Sequence, residues 1–290
     1  MKILLTGKSG QVGYELERSL QGLGEVIALG HGQMDLSDLR QVRDVIRSVR
    51  PNLIVNPAAY TAVDQAESDI ELAMCINGDA PGVMAEEAKK LGAAMIHYST
   101  DYVFDGSKES PYTEDDAPSP INAYGKTKLA GEEAIRAAGI PHLIFRTSWV
   151  YGMRGRNFLL TVLRLASERD ELRIVADQFG APTWSRTLAD TTAHIVSQAR
   201  AAKDKQQWWT EHSGLYHLTA QGSTSWHGFT EAILSHPGRL KKPVVTPITT
   251  EEYPLPAPRP RNSVLNCDKL KQHFCDLPHW ESALALCQGV

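Results

Sequence analysis

Cysteine is scarce: the 290 residues hold four, Cys75, Cys267, Cys275 and Cys287, and none form a Cys-x-x-Cys pair. That spacing excludes the common zinc sites and offers no disulfide framework, so the thiols read as reduced. No stretch approaches the ~18 consecutive apolar residues of a membrane-spanning helix, and the opening MKILLTGKSG reaches a glycine loop too early for a signal-peptide core. The expectation is a cytoplasmic protein with no membrane partner. Positive charge is not in excess either: 30 Lys and Arg against 34 Asp and Glu give a net charge of -4, with the basic residues scattered. Nucleic acid, which calls for a basic patch, is therefore not an expected partner. No internal repeat or low-complexity tract is evident.

What is present is a 42% apolar composition, enough to fill the core of one large α/β domain or of a domain carrying a smaller partner. Short apolar runs alternate with amphipathic segments. KILLT precedes Val12, Leu16, Leu20 and Leu23 at helical spacing; EVIAL precedes a helix from Val42 to Val49; NLIVNPAA, GVMAEEAKKLG, AMIHYST, a helix through YGKTK ending near Gly139, and HLIFRTSWV follow. This strand–helix rhythm predicts an α/β fold, a doubly wound parallel sheet with helices on both faces. Ligands of such sheets bind beyond the carboxyl ends of the strands.

After about Tyr151 the rhythm weakens into a helix from Asn157 to Glu168, a strand LRIVAD, a helix from Leu188 to Ala199 and a polar insertion AAKDKQQWWTEHSG. PLPAPRPRNS carries Pro254, Pro256, Pro258 and Pro260, which exclude helix and central strand and predict an extended loop. The expected division is a dinucleotide-binding domain over 1–150, completed by part of 170–205, and a smaller mixed α/β substrate-binding lobe over 151–290.

Gly7, Gly10 and Gly13 lie between the first strand and the first helix. Glycine permits a tight turn and close backbone approach, and a helix amino terminus offers free N–H groups to a pyrophosphate. The G-x-x-G-x-x-G spacing also suits a bare strand-to-helix turn, but its flanking elements favour dinucleotide binding. An NAD site usually places an acidic residue about 20 positions on, against the ribose hydroxyls. Here ALGHGQ supplies Gly30, His31 and Gly32 with no carboxylate, and Lys8 could attract a 2′-phosphate, so the expected cofactor is NADPH, with NADH as the alternative. Asp35 and Leu36 are candidates for the adenine edge; for Asp35 or Ser37 a helix-capping role is the alternative.

NAYGKTKLAGEE places Lys128 four residues after Tyr124, on one helix face. A tyrosine has a pKa near ~10 and donates reluctantly at neutral pH, but an adjacent ammonium stabilises its phenolate. That is the requirement for a general acid in carbonyl reduction. Alone, Y-x-x-x-K is a frequent coincidence and fits a tyrosine packed beside an exposed lysine. Here a strand-end pair of hydroxyls, Ser99 and Thr100, precedes it by about 24 residues, where a substrate oxygen could be held.

TGKSGQVG, NPAAYTAVD, STDYVFDG, YGKTK, FRTSWVYG, DQFGAPT and RPRNS together resemble the extended short-chain dehydrogenase/reductases, and among them the dTDP-4-dehydrorhamnose reductase family, nearly from end to end. The resemblance implies a Rossmann domain plus a small substrate domain. It implies NADPH-dependent reduction of the 4-keto group of dTDP-4-dehydro-6-deoxy-L-mannose to dTDP-L-rhamnose, for surface polysaccharide. Carried over position by position, Thr100, Tyr124 and Lys128 are the catalytic trio: Tyr124 protonates the new hydroxyl, Lys128 binds the nicotinamide ribose and lowers the tyrosine pKa, and Thr100 orients the carbonyl. Gly7, Gly10, Gln11, Val12 and Gly13 match the phosphate loop, and Ala58, Ala59 and Tyr60 the third-strand loop at the cofactor. Asp101, Val103 and Trp149 match positions around the sugar, and Arg259 is a candidate for the nucleotide phosphates. A core aromatic and a solvated loop charge are the alternatives for Trp149 and Arg259. Asn77 resembles an asparagine of the family's fourth helix and could be architectural. Asp64 and Glu67 read as a solvated first turn of a helix.

Some members of the family dimerise through a metal held by acidic residues on the first helix and after GAPT. Glu15 is present, but the later segment reads WSRTLAD, and Arg186 stands where a glutamate would be needed. An arginine offers magnesium no oxygen; no metal and a monomer or weak homodimer are expected. Two other functions share these motifs. A nucleotide-sugar dehydratase would need an Asp-Glu pair after the threonine, whereas Asp101 is followed by Tyr102; an epimerase is harder to separate by residues. A dinucleotide-binding regulatory subunit, like that of methionine adenosyltransferase, would have no need of the intact trio.

Overall fold

The structure, a computed structural model, describes residues 1–236 and 242–289. Its first half follows the expected alternation: β1 (Lys2–Leu5), α1 (Gln11–Ser19), β2 (Glu25–Ala28), α2 (Leu39–Val49), β3 (Leu53–Asn56), α3 (Ile70–Met74), a π turn over Cys75–Asp79, α4 (Ala80–Leu91), β4 (Ala94–Thr100), α5 (Ala123–Ala138) and β5 (His142–Thr147). Local chemistry sets several boundaries. The Asp38 carboxylate accepts from the Arg40 and Gln41 amides to open α2, and the Asn122 side chain accepts from the Gly125 amide to open α5. Gly92 and Gly139 end α4 and α5 in the left-handed conformation that glycine adopts without strain.

The second half runs β6 (Val150–Tyr151), α6 (Phe158–Glu168), β7 (Glu171–Val175), β8 (Phe179–Gly180), β9 (Thr183–Trp184), α7 (Ser185–Ala201), α8 (Lys205–His212), β10 (Gly214–His217), β11 (Thr224–Ser225), α9 (Trp226–Leu234), β12 (Val244–Ile248), α10 (Asp268–His273) and α11 (Trp280–Gln288). The polar insertion thus contains a helix, α8, opened by Asp204 accepting from the Gln207 amide. Its mixed polar and tryptophan composition gives no 3.6-residue stripe, so periodicity could not find it.

The main sheet has six strands in the order β10-β5-β4-β3-β1-β2, and every pair is parallel. Alternate residues of its strands feed two apolar layers. Ile3, Leu5, Val55 and Ile96 pack with Leu16, Leu188 and Ile195 of α1 and α7, and Leu4, Ile54, Met95 and Ile144 pack with Val42, Met84 and Ile135 of α2, α4 and α5. Burial on both faces is why these strands read as near-continuous hydrophobic runs. The sixth strand departs from the expected boundaries: β10, beyond residue 205, pairs with β5 from Gly214↔Leu143 to His217↔Arg146.

Residues between and after these elements form a separate core in which Tyr151, Leu159, Val162, Phe229, Ile233, Trp280 and Leu284 are buried. Two-stranded ribbons, β7 with β12 among them, complete that lobe. The proline-rich stretch is extended, as its composition predicts, and follows the lobe surface toward the main sheet. Among the described residues no helix is long and apolar enough to cross a membrane.

Candidate active site

The glycine loop forms the floor of a cleft of about 480 Å³ at the carboxyl ends of β1, β3 and β4. Gly7 has φ +59°, and a Cβ there would lie 2.9 Å from that of Ala58. At Gly13 a Cβ would overlap the Gly7 carbonyl oxygen. Both positions therefore require glycine, and the backbone is left open for a ligand to approach closely. Gly10, Gln11, Val12, Asp35, Leu36, Ala58, Ala59, Tyr124 and Lys128 line the same cleft. Gln11 also ties the loop to the second lobe, accepting from the Asn157 side-chain amide at 2.8 Å.

Tyr60 is not among the lining side chains; its hydroxyl donates to Asp69 at 3.0 Å, and Thr61 takes the wall position. Asn77, buried in the π turn, accepts from the Tyr60 amide at 2.8 Å and donates to the Tyr60 carbonyl and to Thr127. It stitches the third-strand loop to α5. Asp35 does not cap α2, a role taken by Asp38; its carboxylate accepts from the Ser37 amide and hydroxyl, which lowers its pKa.

Tyr124 and Lys128 sit one turn apart on α5, where Asn122 fixes the helix start. Burial pushes the Tyr124 phenol up to about 12, Asp101 adds to the rise, and the Thr100 hydroxyl opposes it. Lys128 is buried and brought down to about 8 by loss of solvation, Glu132 opposing. Its ammonium is engaged away from the phenol: Nζ donates to the Tyr98 carbonyl at 2.6 Å and lies 3.2 Å from His97 Nε2. The expected lowering of the tyrosine pKa by this lysine is thus not found, and desolvation prevails. Thr100 bonds to the Asp101 carboxylate at 3.0 Å, and burial raises Asp101 to about 7.

A second cleft, of about 530 Å³, opens between the lobes. Tyr102 lines it, and the Tyr102 ring packs edge-on against that of Tyr124, centroids 5.9 Å apart, so the second cleft begins one ring away from the phenol that lines the first. Arg259 lines it as well. Its guanidinium holds the Asp64 carboxylate through both nitrogens, at 2.5 and 2.7 Å. Asp64 and Glu67 are therefore not a solvated first turn: Glu67 accepts from the Ala123 amide at 2.7 Å, at the head of α5.

Two expected sugar contacts are placed elsewhere. Val103 is fully buried in a small core with Phe104, Tyr112 and Leu265, because its turn directs the side chain inward. Trp149, at φ +47°, lines neither cleft; it stacks on Trp226 at 3.5 Å, and Trp226 forms the cleft wall.

The sequence reading missed Thr6, Met34, Thr147 and Arg156 in the first cleft and Phe158, Gln178, Trp226 and Tyr253 in the second. Thr6 and Thr147 follow or end strands, so the strand-end rule that found Thr100 could have found them. The others come from elements whose packing no local pattern announces. Arg186, for its part, pairs with Asp190 on α7 at 3.4 Å, and no group of three or more metal-holding side chains occurs among the described residues.

Comparison with known proteins places these features in a lineage. The family model described as the RmlD substrate binding domain matches residues 1–288. The dTDP-4-dehydrorhamnose reductase of Burkholderia thailandensis is 50% identical over 294 residues, covering 99% of this chain and 98% of that protein. Its counterpart in Escherichia coli K12 is 47% identical over 290 residues, with 97% and 95% covered. The crystal structure of the Bacillus anthracis dTDP-4-dehydrorhamnose reductase in complex with NADP superposes with a TM-score of 0.90 at 35% identity, covering 99% of this chain and 98% of that one. With likeness that extends from the glycine loop to the last helix, the chain belongs to the dTDP-4-dehydrorhamnose reductase family.

Proposed function

We propose that the chain reduces the 4-keto group of dTDP-4-dehydro-6-deoxy-L-mannose with NADPH, giving dTDP-L-rhamnose for surface polysaccharide. One observation carries the proposal: Tyr124 and Lys128 line the cofactor-sized cleft over the glycine loop, and the second cleft begins one ring away, at the Tyr102 side chain packed on Tyr124. Relatives at 50% and 47% identity bear the reductase name, and the related B. anthracis structure contains NADP.

The first cleft suits a dinucleotide. Gly7 and Gly13 leave the backbone bare, and the buried Thr147 hydroxyl in the wall has no protein partner. After β2 the chain presents Gly30 beside the Lys8 side chain, and residues 29–34 carry no carboxylate to repel a 2′-phosphate. NADPH, when bound, supplies the hydride. Tyr124 then donates its proton to the oxygen that becomes the hydroxyl. A phenol at about 12 remains protonated until that oxygen gains charge, and an alkoxide is a stronger base than a phenolate. Lys128, charged below about 8, offsets the phenolate left behind. Thr100 orients the carbonyl, and Arg259 and Trp226 belong to the substrate side.

The test follows NADPH oxidation at the nicotinamide absorbance with the keto sugar generated in place. Wild type turns over, and Tyr124→Phe loses about 10²–10⁴-fold in kcat while still binding NADPH. Equal rates in both would remove Tyr124 from the mechanism; silence in both would point to another sugar or to a binding subunit.

A further inference from the structure

Three adjacent strands place polar side chains on the sheet face that packs against α2, α4 and α5. Thr6 follows β1, Asn56 ends β3, and His97 stands in β4 in register with Asn56. All are buried, and Lys128 reaches the same layer from α5. They form one row: Thr6 Oγ1 to Asn56 Oδ1 is 2.6 Å, Asn56 Nδ2 to His97 Nδ1 is 3.1 Å, and His97 Nε2 to Lys128 Nζ is 3.2 Å. Leu4, Ile54, Met95 and Ile144 share the layer. A polar row in such a place is costly unless every member is bonded.

Counting protons makes the row informative. An ammonium has no lone pair, so against a charged Lys128 the His97 Nε2 must accept. Burial and the neighbouring lysine hold His97 well below the usual histidine range, which keeps the ring neutral, with a single N–H. That N–H is then at Nδ1 and needs an acceptor, which requires Asn56 to turn its carbonyl oxygen to the ring and its amide to Thr6. The converse setting, with Asn56 Nδ2 donating to Nδ1 and Nε2–H facing Nζ, fits a neutral lysine. Each charge state of Lys128 has its own consistent row. The other groups facing Nζ are the Tyr98 carbonyl, at 2.6 Å, and Glu132 on α5, whose carboxylate is already engaged by Arg146 of β5 and Ser99 of β4. Beside His97, β5 contributes Ile144, which is uncharged.

We propose that His97, its tautomer held by Asn56, is a positioning residue for the reduction: it fixes Lys128 and sets whether that lysine is charged when Tyr124 gives up its proton. The inference rests on the keto-sugar reductase function proposed above.

The experiment compares pH profiles of kcat/KM for NADPH-dependent sugar reduction. His97→Leu removes the acceptor for the ammonium, so the descending alkaline limb moves down by about one pH unit, with kcat about 10-fold lower. His97→Gln, which restores an acceptor, moves the limb back toward wild type. Asn56→Asp strengthens the hold on Nδ1–H, and the limb moves the other way, to higher pH. A residue that only fills space would leave the limb in place; an unmoved limb in folded His97→Leu, or equal shifts in His97→Leu and Asn56→Asp, overturns the proposal. Should His97→Leu not fold, His97→Gln and Asn56→Asp decide it. A readout without sugar separates this from the choice of substrate: ¹⁵N NMR of histidine-labelled, NADPH-bound enzyme at pH 7, with the His97 signal identified by its loss in His97→Gln. Protonation at Nδ1 supports the row even if the hexulose is not turned over, and protonation at Nε2 or at both nitrogens overturns it.

Discussion

A phenol pushed up to about 12 and an ammonium brought down to about 8 lie one helical turn apart on α5. Their order decides the pH response. Tyr124 keeps its proton throughout the physiological range, whereas Lys128 loses its charge as pH rises through about 8; kcat/KM is therefore expected to fall above that pH. A pH–rate profile checks it, and a rate still level at pH 10 would contradict the assignment. At this scale the sequence was informative where spacing alone sets geometry. Four residues on a helix capped by Asn122 suffice to align Tyr124 and Lys128, and strand-end position suffices for Thr100. It was uninformative where direction depends on packing. Val103 shares a motif with Asp101, yet its turn directs it into a core, and the bond between Arg259 and Asp64 joins residues 195 positions apart.

Between elements, a buried carboxylate held by exposed cations does part of the fastening. The Arg47 guanidinium of α2 and Lys90 both hold Glu87 of α4, at 2.8 and 2.6 Å, and bring its carboxyl from 4.5 down to about 2. The folded pKa is the lower one, so this contribution to stability is complete above pH 4.5 and disappears as pH falls toward 2. Thermal melts of wild type and Glu87→Gln should accordingly differ at pH 7, draw together below pH 4.5 and converge at about pH 2; a gap that keeps its full size in acid would mean that Glu87 acts by packing. Strands β1 to β5 were legible because double-sided burial writes continuous apolar runs into the sequence. The π turn at Cys75–Asp79 was not, since one extra residue within a helix leaves the composition unchanged, although it carries the Asn77 side chain that holds the Tyr60 backbone.

For the whole molecule, the lobes meet along a proline-rich strap whose Arg259 reaches Asp64 beside the cofactor cleft. If that arginine also serves the nucleotide end of the substrate, Arg259→Ala raises the sugar-nucleotide KM about 10- to 100-fold, the worth of a charged hydrogen bond, and leaves the NADPH Kd unchanged. Steady-state kinetics beside cofactor titration checks this, and a matching loss of NADPH affinity would assign the pair to lobe architecture instead. Assembly gives another test. Arg186 is turned to Asp190 and brings no oxygen for magnesium, so light scattering should give the same mass with and without the ion; a magnesium-dependent doubling would refute it. The change of rhythm near Tyr151 was readable in the sequence, but the sheet's last strand was not, because four residues, GLYH, are too few to show a period.

That last strand makes synthesis order matter. β5 is finished at residue 147, but its outer partner begins at Gly214. A nascent chain therefore carries an unpaired parallel edge while the intervening segments are made, at roughly 5–20 residues per second. Such an edge can recruit strands from other chains. Sheet closure must await the emergence of β10 from the ribosome, and translational pausing between β5 and β10 would expose that edge for longer, whereas pausing after β10 would not.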